Sequence, residues 1–383
     1  MTKRRIALAA IAGIALLAAS GVWRASRVPP PTPLAGFSAP FVFGRFTVPA
    51  DNPLTVEAVQ LGRRLFYDRR LSGPNTFSCS TCHIQRLAFT DGKRTAVGVA
   101  GKPLAFNSMS LANLLWGPQH FFWNGRVASL EEQALVPIQR PDEMNQDLDE
   151  LVAELRGDAD YVRLFRRAFG EISAQTIAKA LASFERTLVS ANSRYDRFLR
   201  GELSLDPQEE LGRKLFMAHP DVKASLRGGN CIDCHSQFLT SGFRTAFDGF
   251  SNNGLDAEAH LAEGLFTVTR NPAQRGLFKV PGLRNIALTA PYMHDGRFTT
   301  LEQVLAHYNG GIQPSSTLSP LISEASNRPK GVAPEVSLHL SASEQTAIIA
   351  FLETLTDERF VSDPALSDPF KESHEHEQKR VGG

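Results

Sequence analysis

Cysteine is scarce in this chain, with four residues among 383. That scarcity excludes a disulfide scaffold, and all four thiols turn out to be committed elsewhere. An excess of charge of one sign is also missing. Lys and Arg number 41 against 40 Asp and Glu, a net charge of +1, so no nucleic acid and no strongly acidic partner is implied. Long apolar runs are absent too. The longest, Ile6 to Leu17, follows the basic Lys3, Arg4 and Arg5 and leads to the small residues Ala18, Ala19 and Ser20. This is the pattern of a secretory signal over residues 1–20, with an uncleaved anchor running on to Trp23 as the alternative. Either way the body of the protein is expected outside the cytoplasmic membrane, in a periplasm. Alternating strand patterns are sparse, which excludes a mainly β fold, while 42% hydrophobic residues are enough for a core.

What the chain does have is one motif twice. Residues 77–83 read F-S-C-S-T-C-H and residues 230–235 read N-C-I-D-C-H. Two thiols three positions apart can each bond a vinyl group of one haem, and the histidine that follows can swing under the iron. Cys-x-x-Cys-His is therefore the pattern of c-type haem attachment. A redox-active pair would need no histidine, and a zinc site made of all four thiolates would leave both histidines unexplained. Cys79, Cys82, Cys231 and Cys234 are expected to hold two haems, with His83 and His235 as proximal ligands.

A longer repeat surrounds the motif. L-G-R-R-L-F begins at Leu61, 18 residues before Cys79, and L-G-R-K-L-F begins at Leu211, 20 residues before Cys231. The i,i+4 pairs Leu61/Leu65 and Leu211/Leu215 predict helices with an apolar stripe toward each haem. Asp206-Pro207 reads as an N-cap followed by proline at the first helical position. Capping boxes predict helices from Ser129 to about Val136, from Thr299 through His307, and from Ser341, the last with Ile348, Ile349, Leu352 and Leu355 inward. Ser173 to Ala191 predicts an amphipathic helix with Leu181, Phe184 and Leu188 in the core. The expected class is mainly α, two tandem cytochrome c-like helical domains each with one covalently bound haem c. The boundaries are a signal over 1–20, a Pro-rich linker over 21–50, domains over 51–200 and 201–370, and a disordered charged tail over 371–383. Pro314 to Pro334 reads as a long surface loop.

The strings W-N-G-R from Trp123, Q-A-L-V-P-I from Gln133, P-D-E-M from Pro141, K-V-P-G-L-R-N from Lys279 and T-A-P-Y-M-H-D-G-R from Thr289 resemble the bacterial di-haem cytochrome c peroxidases and their MauG relatives. The likeness runs from about Pro53 to Leu355. It implies that the haem on His83 is the peroxide site and that the second haem relays or stores oxidising equivalents. It assigns Glu143 and Gln133 as distal acid–base and orienting groups, Pro137 to the pocket wall, and Trp123 to the space between the haems. A carboxyl in a mostly apolar pocket, with its proton affinity raised by desolvation, suits the proton transfer that splits peroxide. The same likeness places a calcium ion on Asn107, Thr289 and Pro291.

The sixth ligands set the function. Peroxidases of this type carry a distal histidine between the first haem motif and the tryptophan. Here the only histidine between His83 and Trp123 is His120, three residues before that tryptophan and expected to be a surface or packing residue rather than a ligand, so the first iron is expected to be open. For the second haem the family's axial methionine lies fourteen residues after the histidine of the P-Y-x-H-D-G string, and fourteen from His294 is Tyr308. Tyr308 is the expected ligand and Met293 the alternative, with His294 and His307 behind them. A thioether favours the ferrous state; a phenol oxygen favours ferric and higher states. The expected function is thus a periplasmic peroxidase, generating with hydrogen peroxide a high-valent di-haem state that oxidises an external protein, such as an amine dehydrogenase precursor. The alternatives are a cytochrome c peroxidase fed by a small cytochrome c or cupredoxin, and a di-haem electron carrier. One departure bears on the substrate. MauG passes holes through a surface tryptophan six residues before its second proximal histidine, and that position here is Gly229.

Overall fold

In this computed structural model the described residues are 29–370, except 38–39, 41–42, 118–119, 222, 239–248 and 328–335. The expected signal and charged tail lie outside the described residues. The helices of six residues or more are α1 (Val56–Phe66), α2 (Leu130–Gln139), α3 (Leu148–Arg156), α4 (Ala159–Ala168), α5 (Ala174–Glu185), α6 (Arg194–Leu199), α7 (Pro207–Met217), α8 (Leu301–Ala306) and α9 (Ala342–Glu353). Among the described residues strand is limited to an antiparallel pair, β1 (Phe250–Ser251) and β2 (Phe278–Lys279), in which Phe250 faces Lys279.

The sequence repeat is a packing repeat. α1 crosses α5 so closely that a Cβ built at Gly62 would fall on the carbonyl oxygen of Ala180 and come within 2.9 Å of the Phe184 Cβ. α7 crosses α9 in the same manner, with Gly212 against the Ala347 carbonyl and 2.9 Å from the Phe351 Cβ. Only glycine lets two helix backbones approach this far. Around the first crossing Leu61, Leu65, Phe66, Leu181, Phe184 and Leu188 close a core, and around the second Leu215, Phe216, Ile348, Phe351, Leu352 and Leu355 do. The two cores exchange chain at their edges. Tyr195 belongs to the second, while Phe360 and Leu366 pack back into the first.

Several local expectations shift. Leu211 is 44% exposed, so only Leu215 of that pair points inward; the crossing glycine between them occupies the contact face. α2 begins at Ser129, whose side chain accepts from the Glu132 amide, but it runs through Pro137 to Gln139. α8 is capped one residue later than expected, by Thr300, because the amide and hydroxyl of Thr299 are taken by Gln303 Oε1. α5 starts at its Ser173 cap but stops at Glu185. Asn113 draws the chain out of the helix beyond that point, its amide donating to the Leu188 carbonyl and its Oδ1 accepting from the Ser190 amide. Nor is the whole of 21–50 a free tether. The Thr32 amide donates to Glu57 at 2.7 Å, Leu34 and Val56 pair with Leu54 and Thr32, and Phe43 is buried against Trp116.

Candidate functional site: two cavities joined at a tryptophan

Each Cys-x-x-Cys-His motif opens a cavity. Cys79–Cys82 forms a single helical turn, and its histidine, His83, pairs Nδ1 with the Phe89 carbonyl at 2.8 Å. That carbonyl is presented by a tight loop, bridged between Ile84 and Thr90, in which Ala88 and Phe89 take φ of 50° and 62°. In the second motif His235 pairs Nδ1 with the Pro281 carbonyl at 3.0 Å. A ring that donates from Nδ1 has its Nε2 lone pair free for a metal, and the backbone oxygen fixes its direction. Burial lowers the proton affinity of both imidazoles, His235 to about 4, so both are in the neutral form that ligates. Burial also pushes the Cys82 and Cys234 thiols up to about 11, an environment suited to thioether sulfurs rather than thiolates.

The first cavity, about 300 Å³, brings together Cys79, Cys82, His83, Asn107, Trp123, Gln133, Pro137 and Glu143. Gln133 and Pro137 come from successive turns of α2, and Glu143 from the loop that follows. Burial raises the Glu143 proton affinity, as expected, but the surroundings are not simply apolar. Arg140 lies 3.1 Å and Arg126 3.9 Å from its carboxylate, and both oppose that rise. Gln133 Oε1 is buried without a hydrogen-bond partner, an acceptor left for whatever enters. His120 is exposed and away from the lining, in which His83 is the only histidine among the described residues. Two thioethers that no motif marks, Met109 and Met144, do line it. So does Glu185 at the end of α5, fully buried, with Oε2 unpartnered and its carboxyl pushed up to about 8 by desolvation.

The second cavity, about 190 Å³, holds Cys231, Cys234, His235, Met293, His294, Tyr308 and again Trp123. Tyr308 sits on a wide turn over His307–Gly311, and burial pushes its phenol up to about 12. Asn253 Nδ2 donates both to Tyr308 Oη at 3.3 Å and to Met293 Sδ at 3.4 Å, so the two candidate ligands converge on one amide. The competing histidines are otherwise engaged. His294 stacks on Phe278 at 3.6 Å, and His307 Nε2 pairs with the Asn253 carbonyl at 2.9 Å. Gly229 is buried in the cavity wall, where an added Cβ would lie 3.1 Å from Cys231 Sγ. A tryptophan has no room there.

Trp123 is the one candidate residue in the lining of both cavities. Buried to 7% exposure, it donates from Nε1 to the Asn107 carbonyl at 2.9 Å. Beside it a small cavity, about 60 Å³, collects Asn107, Thr289 and Pro291, room for an ion with a few waters. Asn107 Nδ2 donates to the carbonyls of Lys93 and Arg94, which directs Oδ1 away from those contacts and leaves it as a hard oxygen donor. Neutral oxygens of this kind fit calcium.

Paired helical cores, each carrying a cavity with two cysteines and a pre-aimed neutral histidine, define a two-haem c-type cytochrome. Known proteins agree. The family model described as di-haem cytochrome c peroxidase matches residues 56–204. The methylamine utilization protein MauG of Methylorubrum extorquens is 38% identical over 314 residues, 81% of this chain and 81% of its own. The cytochrome c551 peroxidase of Nitrosomonas europaea is 31% identical over 318 residues, 82% of this chain and 84% of its own. Among solved structures, a MauG-like protein associated with microbial copper homeostasis superposes with a TM-score of 0.76 at 38% identity, covering 88% of this chain and 99% of that one. The chain belongs to the di-haem cytochrome c peroxidase and MauG family. It is a haem-dependent oxidoreductase, and the family implies two haem c groups, hydrogen peroxide, and a protein that gives or receives electrons.

Proposed function

We propose that the protein works as MauG does, using hydrogen peroxide at the His83 side to oxidise a protein substrate docked outside, in the periplasm. The haems, when bound, supply the redox chemistry, taking two oxidising equivalents from peroxide. The chain's own part is positional and acid–base. Glu143, its proton affinity raised by burial yet restrained by Arg140 and Arg126, takes a proton from peroxide and returns it to the departing oxygen. Gln133 Oε1 accepts a hydrogen bond that orients the peroxide, and Pro137 walls the pocket. Trp123 couples the two sides, and calcium on Asn107, Thr289 and Pro291 stiffens that junction.

The observation that carries the reading is the Tyr308 phenol in the His235 cavity, held by the Asn253 amide. Tyr308 would hold the second haem together with His235, and its hard oxygen would favour oxidised iron, suiting that haem to store oxidising equivalents rather than to draw electrons from a carrier. A second reading, a cytochrome c peroxidase reduced by a small cytochrome c or cupredoxin, is favoured by Met293, whose sulfur shares the same amide. Electron paramagnetic resonance of the ferric protein tests both. One high-spin and one low-spin haem are expected, with the low-spin signal altered in Tyr308→Phe and unchanged in Met293→Leu. The reverse pattern hands the function to the peroxidase, and two low-spin haems at rest remove the open peroxide site.

A further inference from the structure

Three cations are buried among the described residues: Arg186, Arg284 and Lys279. Arg186 meets Glu131 at 2.7 Å and Arg284 meets Asp196 at 2.5 Å. Lys279 has no such partner. Its residue is 3% exposed, and Nζ makes no hydrogen bond; the nearest favourable contact is the face of Phe250, 4.5 Å from Nζ to the ring centroid. A cation over a ring recovers only part of what burying an unpaired ammonium costs. Burial lowers the Lys279 proton affinity to about 7, and an anion beside Nζ would restore the charged form.

Its position says where that anion arrives. Lys279 ends β2, its amide donates to the Trp123 carbonyl at 2.9 Å, and the residue lines both the His83 and the His235 cavities. The only anionic groups that haem c carries into such a cavity are its two propionates. Resting on the reading that both cavities hold haem, we propose that Lys279 is the seat of haem propionate carboxylates at the partition, a single ammonium shared by the two macrocycles. It is a positioning residue. It anchors the haem edges against Trp123, and its fixed charge raises the potentials of both irons by disfavouring further positive charge nearby.

The test uses the full chain matured with its haems. Wild type, Lys279→Met and Lys279→Arg are compared for covalent haem content and for the midpoint potential of each haem by spectroelectrochemical titration. Lys279→Met is expected to keep two haems with both potentials lowered, and Lys279→Arg to stay near wild type. Unchanged potentials in Lys279→Met, or an equal fall in both variants, overturn the proposal. Should Lys279→Met fail to mature, a crystal structure of the wild-type holoprotein decides. Nζ in ion-pair contact with propionate oxygens of both haems supports the assignment, whereas Nζ on water or a stray anion, with the propionates elsewhere, overturns it. A wild-type chain carrying fewer than two haems instead sinks the cofactor reading on which the proposal stands.

Discussion

The Trp123 indole donates its Nε1 hydrogen to the carbonyl of Asn107 at 2.9 Å, and the amide of Asn107 donates to the carbonyl of His294 at 2.8 Å. One residue thereby ties the shared aromatic ring to a segment nearly two hundred positions away. If calcium binds Asn107 Oδ1 with Thr289 and Pro291, chelation loosens that tie. Treatment with a calcium chelator should lower peroxide turnover about tenfold or more, in line with loss of groups that hold a metal site in place, and added calcium should restore it. Stopped-flow peroxide consumption before chelation, after it and after calcium is returned checks this. Rates indifferent to chelation would remove the ion from the account.

Glu143 is the carboxyl assigned to proton transfer. Glu143→Gln keeps the shape but cannot titrate. It should slow peroxide consumption by roughly a hundredfold or more, with the visible spectrum of both haems retained. Near-normal turnover would reduce Glu143 to a partner of Arg140.

Glu185 yields a pH prediction of definite sign. Its carboxyl holds its proton up to about pH 8 in the folded chain, because burial disfavours the charge, but ionises near the usual 4.3 when unfolded. The folded state thus binds the extra proton between those values. Its stabilising contribution is whole below about pH 4.3 and is lost progressively as pH rises to about 8. Glu185→Gln, permanently neutral, should flatten this slope and be more stable than wild type at pH 8, by on the order of a few kcal/mol. Thermal unfolding of both proteins across that range measures it; parallel curves would mean that Glu185 finds a partner in the mature protein.

The crossing glycines predict an inverted helix-propensity effect. Gly→Ala inside an ordinary helix stabilises by about 1 kcal/mol. Gly62→Ala and Gly212→Ala should instead destabilise, each by about 1–3 kcal/mol, because the new methyl meets the carbonyls of Ala180 and Ala347. Differential scanning calorimetry of the matured variants is the check, and a raised melting temperature would show that the helices can part without cost.

Those glycines also mark how far the sequence could be read. The L-G-R-R-L-F and L-G-R-K-L-F repeats announced two equivalent helices, but not that the glycine is the contact. The i,i+4 rule therefore turned Leu211 inward when it lies outward. Cap chemistry is local, so Ser129, Ser173, Asp206 and Ser341 were legible as helix starts. Helix ends were less so, because Asn113 stops α5 from another part of the chain. Lys279 lies in the K-V-P-G-L-R-N string and Glu185 in a helix with a core-facing stripe, yet burial without a partner has no sequence signature.

By itself, then, the order of residues determined the covalent chemistry: four thiols in two motifs, each with its histidine next in line, because attachment needs only neighbours within one turn. Tertiary structure alone decided the rest. It brought the Phe89 and Pro281 carbonyls to the histidines, turned Tyr308 and Met293 toward one amide, and set Trp123 and Lys279 between two cavities. These relations join positions far apart in the chain, and they follow from how closely the helices pack and which polar atoms that packing leaves without water.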